Sequence, residues 1–161
     1  MVQIFIADGT GTGPTAQAAY DAALAAAGVA RYNLVTLSSV VPADASVEVV
    51  ERVPDRGAVG DVLHVVQAKV LAREPATAVA GLAWARSSGG EGIFYEASDA
   101  GEAASARTLV DELETGLEHG VALRSWTPVT RDRHIVERGA PASGVVAAVV
   151  VAAVGEARAP W

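Results

Sequence analysis

Two adjacent serines, Ser38 and Ser39, are the residues whose types and placement first suggest chemistry in this chain. They stand at the end of an apolar β-type run, NLVTLSSVV, directly before the turn that Pro42 imposes, and the polar Asn33 lies upstream. Serine hydroxyls can act as nucleophiles when the surrounding residues activate them. A serine pair at a strand end is also typical of a solvated turn, and the spacing alone favours that interpretation.

Three other features were weighed for chemistry. The segment Asp8–Gly13, DGTGTG, lies between a predicted strand and a predicted helix, where backbone amides attract anions. Its spacing lacks the GxGxxG fingerprint and no P-loop lysine follows, so a tight structural turn is favoured over nucleotide binding. The single lysine, Lys69, is the one Schiff-base candidate, but its apolar strand context favours an edge-facing lysine. Cysteine is absent, and His64, His119 and His134 have no metal-ligand spacing.

The helices and strands that must position these groups are predicted from hydrophobic periodicity and from the glycines and prolines at their ends. Val2–Ala7 is predicted as a strand, the glycine-rich segment as a loop, and Thr15–Ala27 as a helix that Pro14 begins and Gly28 ends. A second amphipathic helix is predicted over Gly101–His119, with Leu109, Leu113 and Leu117 on one face. Ala76–Ala85 is predicted as a further helix. The predicted later strands are Arg31–Val41, Val47–Val53, Val62–Leu71, Gly92–Ala97, Val121–Val129, His134–Arg138 and Val145–Val154.

Composition narrows the class of protein. A chain of 161 residues, 51% hydrophobic and 19% charged, predicts one folded domain spanning residues 1–161. A net charge of −7 argues against a nucleic-acid partner. The N-terminus lacks signal-peptide features, so a cytoplasmic location is expected. The apolar run Gly144–Val154 falls short of the roughly 18 residues of a membrane span, which favours a buried strand and no membrane partner.

A resemblance decides what the spacing leaves open. NLVTLSSVVP, the preceding AAYDAALAAAG and the later GIFYE together resemble the pyruvoyl-dependent arginine decarboxylase family. That family shows F/Y-D-x-A-L in a helix, then N-L-I/V-x-x-S-S-I/V-x-P, then G-I/L-x-x-E in a strand. The similarity runs from about Ile4 to the final valine-rich strand.

The resemblance implies that the chain cuts itself between Ser38 and Ser39. The Ser39 hydroxyl would attack the Ser38 carbonyl, an ester would form, and β-elimination would yield a β chain of residues 1–38 and an α chain of residues 39–161. Ser39 would lose ammonia and remain as a pyruvoyl group, so neither a metal nor PLP is expected as cofactor. The resulting ketone supplies an electron sink for decarboxylation without the use of a lysine.

The resemblance also assigns roles to five further residues. Glu96 aligns with the proton donor and Asn33 with a residue that orients the scissile carbonyl. Asp21 aligns with the carboxylate that receives the substrate guanidinium, a planar donor fork that one carboxylate matches well. Leu24 and Val40 would then form pocket wall. Without the resemblance, Glu96 is better interpreted as a solvent-facing strand residue and Asp21 as an exposed helix acid.

The family's fold is an α+β, four-layer αββα sandwich with mixed sheets, and its members assemble as trimers with active sites between protomers. We therefore expect arginine as the small-molecule substrate, agmatine and CO2 as products, and a homotrimer. Ala30 and Tyr32 depart from the family pattern, which leaves pocket shape and substrate choice open. The alternatives are a decarboxylase of another amino acid and an unprocessed binding module of the same fold.

Overall fold

The computed structural model describes residues 1–161 and contains two helices and nine strands. The elements are β1 (Gln3–Gly13), α1 (Ala16–Ala27), β2 (Asn33–Thr36), β3 (Val40–Val41), β4 (Ser46–Val49), β5 (Val62–Ala72), β6 (Thr77–Ser87), β7 (Gly92–Gly101), α2 (Ala106–Leu123), β8 (Pro128–Gly139) and β9 (Val145–Arg158). The first sheet has the order β2-β5-β9-β1-β4 and mixes parallel with antiparallel pairs. The second sheet, β3-β7-β6-β8, is antiparallel.

Three apolar clusters define the layers. One lies between the two sheets, one lies between α1 and the first sheet, and one lies between α2 and the second sheet. The layer order is therefore helix, sheet, sheet, helix, which confirms the predicted four-layer sandwich.

Strand β9 runs through the middle of the first sheet, between β5 and β1. Every residue from Val145 to Ala153 is buried, because α1 covers one face of the sheet and the second sheet covers the other. The prediction of a buried strand for this apolar run is confirmed. No helix of the protein combines the length and the apolar character that crossing a membrane requires.

The predicted first helix is confirmed at both ends. The Thr15 side chain accepts a hydrogen bond from the Ala18 amide, and Gly28 ends the helix with a φ of 91°. The glycine-rich loop predicted before it is wrong, since β1 continues through Gly13. The glycines at positions 9, 11 and 13 face α1 so closely that an added Cβ would strike its backbone or an alanine side chain. They serve close helix–strand packing and do not form an anion-binding turn.

Two other predicted elements are wrong. Ala76–Ala85 is not a helix but the buried strand β6, and an unbroken apolar run cannot be told from a buried helix by periodicity. Val121–Val129 is not one strand, because α2 continues to Leu123 and buries Val121 against the second sheet. The predicted helix over Gly101–His119 is confirmed with a later start, where the Ser105 side chain caps the first turn.

Candidate active site

The serine pair lies where the chain crosses from one sheet to the other. The single strand predicted over Arg31–Val41 is divided in two: β2 joins the edge of the first sheet and β3 joins the edge of the second. Ser38 and Ser39 fall in the gap between β2 and β3.

Three hydrogen bonds fix the geometry of this crossing. The Ser38 carbonyl accepts from the Val40 amide at 2.9 Å, which closes a tight turn around Ser39. The Ser39 carbonyl accepts from the Phe94 amide at 2.7 Å. The Ser39 hydroxyl donates to the Glu96 carboxylate at 3.0 Å. The structure thus brings together Ser39 and Glu96, which are 57 positions apart in the sequence.

A pocket of about 380 Å³ opens at this point. It is lined by Ser38, Ser39, Val40, Ile93, Phe94, Tyr95, Glu96 and Arg124. Val40, which was predicted as pocket wall, is 54% exposed and lines it. The pocket therefore combines a hydroxyl, a carboxylate and an apolar wall beside the Ser38–Ser39 peptide bond.

Arg124 is the only cation that lines the pocket, and the sequence analysis did not single it out. It follows α2, whose glycines at 116 and 120 allow the Tyr95 ring to pack directly on the helix. Its guanidinium donates to the Gly120 carbonyl at 2.9 Å and lies 5.7 Å from the Trp126 ring centroid. No motif marks this arginine, because only the end of α2 carries it to a pocket formed by β3 and β7.

The structure does not bring the remaining predicted residues to this pocket within one chain. Asp21 is exposed on α1, which covers the outer face of the first sheet. Leu24 is only 9% exposed and packs between α1 and that sheet. The Asn33 side chain donates to the Gly60 carbonyl at 2.6 Å, whereas the Ser38 carbonyl accepts from the Val40 amide.

Lys69 does not line the pocket at the serine pair, although it lines a neighbouring pocket together with Glu96. It is exposed on β5, beyond the residues that pair with β2, and its ammonium stands 4.8 Å from the Tyr20 ring centroid. The prediction of an edge-facing strand lysine is confirmed.

The fold and the site define a class of protein: an αββα sandwich with a serine pair at a sheet crossing and a carboxylate on the second hydroxyl, as expected of a self-processing pyruvoyl enzyme. The family model for pyruvoyl-dependent arginine decarboxylase matches residues 3–158. The chain belongs to the pyruvoyl-dependent arginine decarboxylase family.

Individual relatives agree with the family match. Pyruvoyl-dependent arginine decarboxylases of two Halobacterium salinarum strains are each 44% identical to this chain over 156 residues, covering 97% of this chain and 96% of theirs. The pyruvoyl-dependent arginine decarboxylase of Thermococcus sibiricus is 35% identical over 116 residues, covering 71% of this chain and 70% of its own. The similarity therefore spans both sheets and both helices.

Proposed function

We propose that this protein cleaves itself between Ser38 and Ser39 and then decarboxylates L-arginine to agmatine and CO2. The observation that carries the proposal is the hydrogen bond from the Ser39 hydroxyl to Glu96, made at a sheet crossing beside the scissile bond. Family membership supplies the class of reaction. The residues at the crossing fit a pyruvoyl group that the chain makes from its own Ser39.

The hydrogen bonds at the crossing support the proposed self-cleavage. The Val40 amide polarises the Ser38 carbonyl, and the Glu96 carboxylate is placed to draw the proton from the Ser39 hydroxyl. The Ser39 oxygen then attacks the carbonyl carbon, the C–N bond breaks, and an ester and a free amine result. Loss of the Ser39 Cα proton breaks the Cβ–O bond and releases the Ser38 carboxylate. Water then replaces the nitrogen of residue 39, which leaves as ammonia.

The pyruvoyl group would accept the electron pair that remains on the substrate carbon when the bond to CO2 breaks. The chain's own residues bind, orient and protonate. Glu96 is placed to return a proton to the substrate carbon, because its carboxylate already reaches the side chain of residue 39. Arg124 presents the one positive charge of the pocket, which is suited to attract the substrate carboxylate.

The substrate guanidinium is assigned to Asp21. This carboxylate is exposed and makes no hydrogen bond or ion pair within its own chain, so it is free to receive a cation. Since α1 covers the outer face of the first sheet and the pocket opens beside β3 and β7 of the second sheet, we propose that Asp21 reaches the pocket of a neighbouring copy in a trimer. Asn33 and Leu24 would contribute to the same shared site. The net charge of −7 favours a cationic substrate.

Two measurements test the proposal. Intact-mass analysis of the purified protein is expected to give chains of residues 1–38 and 39–161, the second reactive to hydroxylamine. Ser39→Ala is expected to remain one chain, and Ser98→Ala, which changes an exposed serine on β7, is expected to cleave normally. A single uncut wild-type chain with no reactive carbonyl would refute self-processing.

Carboxyl-labelled arginine then distinguishes the remaining alternatives. Release of labelled CO2 together with agmatine is the expected result. A processed protein that releases CO2 only from another amino acid would still be a pyruvoyl-dependent decarboxylase, but arginine would be rejected as its substrate. A protein that binds arginine without releasing CO2 would be a binding module.

A further inference from the structure

We infer that Arg86 is a positioning residue that holds position 39 against Glu96 once the chain has been cut. This inference rests on the proposed function. Arg86 lies near the end of β6, and its side chain reaches the segment Pro42–Ala45, which we call the return loop because it leads from β3 back to the first sheet.

The guanidinium of Arg86 binds four backbone carbonyls. Nη1 donates to Ala45 at 2.8 Å, and Nη2 donates to Pro42 and to Ala43 at 3.2 Å each. Nε donates to Gly90 at 2.6 Å, in the turn between β6 and β7. Arg86 is the only side chain that donates hydrogen bonds to the return loop. One planar donor fork therefore joins that loop to the β6–β7 turn.

The turn itself is shaped for this contact. Gly90 has a φ of 93°, and an added Cβ would lie 2.7 Å from the Ala43 carbonyl. The pKa of the Glu91 carboxyl is lowered by a hydrogen bond from its own backbone amide, by the Ser87 hydroxyl and by the nearby Arg86 charge. The return loop and the β6–β7 turn therefore meet at a close junction, and Arg86 donates hydrogen bonds to backbone carbonyls on both sides of it.

Cleavage makes this junction important for position 39. Before the cut, residue 39 is held covalently on both sides. Afterwards it is a chain end, restrained by the bond to the Phe94 amide, by the pairing of Val40 and Val41 with β7, and by the return loop behind them. Because β3 has only two residues, the return loop must fix the direction in which this end points.

The test is Arg86→Lys, with Arg131→Lys as the matched control. Arg131 is opposite Ala85 on the neighbouring strand β8, and its side chain contacts Glu118 on α2 instead of the return loop. Reactive carbonyls are counted by hydroxylamine, and kcat is expressed per carbonyl so that incomplete cleavage does not lower it. Since a misplacement of about 1 Å can cost on the order of a hundredfold in rate, we expect kcat to fall roughly 10- to 100-fold.

KM for arginine is expected to stay nearly constant, because Arg86 donates to backbone carbonyls of the return loop and the β6–β7 turn and to none of the side chains proposed to bind the substrate. Arg131→Lys should match the wild type in both parameters. A lower melting temperature with unchanged kcat per carbonyl would mean a merely structural role and would overturn the inference. A rise in KM with unchanged kcat per carbonyl would also overturn it, and so would a lower extent of cleavage with unchanged kcat per carbonyl.

A second variant reaches the same junction without altering Arg86. Gly90→Ala pushes the turn against Ala43, whereas Gly101→Ala adds a methyl group on β7 where no atom lies within 4 Å. We expect lower kcat per carbonyl in the first and wild-type kinetics in the second, and equal kinetics would count against the inference. If the wild type neither cleaves nor decarboxylates, the proposed function fails. If the wild type is active and the Arg86→Lys and Gly90→Ala variants match it, the inference about Arg86 fails alone.

Discussion

The packing of α1 on β1 gives a prediction that depends on structure alone: Gly11→Ala destabilises the protein. A Cβ at position 11 would overlap the Ala23 backbone nitrogen and lie 2.6 Å from the Ala22 Cβ and 2.7 Å from the Ala19 carbonyl. Two of these three atoms are backbone, so no rotamer change relieves the clash. β1 is paired with β9 along this stretch, so α1 must move away by about 1 Å.

The magnitude follows from two opposing contributions. Inserting a methyl group into a packed interior costs about 1–3 kcal/mol, and replacing glycine by alanine within a strand returns about 0.5–1 kcal/mol. The midpoints of the two ranges give a net loss of about 1.3 kcal/mol in the free energy of unfolding. A loss of this size lowers the melting temperature by roughly 3–5 °C for a chain of this length.

Urea unfolding followed by circular dichroism measures the difference. Gly139→Ala is the control, because this glycine also lies in a strand, on β8, and an added Cβ meets nothing within 4 Å. It should change the free energy of unfolding by no more than about 0.5 kcal/mol or raise it slightly. If Gly11→Ala proves as stable as Gly139→Ala, the interpretation of the glycines as a close-packing seam is refuted.

Three further outcomes are expected. Glu96→Gln should lower kcat per carbonyl by about 10²- to 10⁴-fold with little change in KM, measured as CO2 release; a loss below about tenfold would reject Glu96 as the proton donor. Asp21→Asn should lower kcat/KM for arginine about 10- to 100-fold and shift preference towards an uncharged isostere, whereas unchanged kinetics would reject the guanidinium assignment. The pKa of Asp55 is lowered, chiefly by the hydrogen bond from the Tyr32 hydroxyl and further by Arg31, so its contribution to stability is present above the ordinary aspartate pKa of about 3.9 and disappears as the pH falls through the lowered value. The wild type should therefore be more stable than Asp55→Asn near pH 7 and lose that advantage below about pH 4; a difference independent of pH would contradict this account.

The parts of the fold that could be predicted from the sequence are those whose patterns are local. The leucines of α2 recur on one face, and Gly28 ends α1, so both helices were predicted from spacing. β6 was mistaken for a helix because it is covered on both faces, by the first sheet and by α2, and its alternation disappears under uniform burial. The sequence pattern does not show which elements pack on both faces of this alanine-rich segment, and that packing makes it a strand.

The site divides in the same way. Ser39 and Glu96 belong to recognisable motifs, and the structure joins them by a hydrogen bond. Arg124 and Arg86 have no motif, because their positions depend on distant segments: Arg124 lines a pocket formed mainly by residues 38–40 and 93–96, and Arg86 donates to the Ala45 carbonyl. Asp21 belongs to a motif, but it does not line the pocket of its own chain. Whether it lines the pocket of a neighbouring copy depends on assembly, which a local sequence pattern does not predict.

The order of the first sheet would let the protein stay folded after the proposed cut between Ser38 and Ser39. Residues 1–38 contribute β1, α1 and β2, and each of these strands is bordered by strands of the later segment: β1 lies between β9 and β4, and β2 pairs with β5. α1 covers β9 as well as β1, so its apolar face remains buried after cleavage. Breaking the 38–39 bond therefore removes no ladder and no core contact; it frees only the crossing between the sheets. The proposed cut falls between β2 and β3, where neither sheet depends on an unbroken chain, so a new chain end can arise inside an intact sandwich.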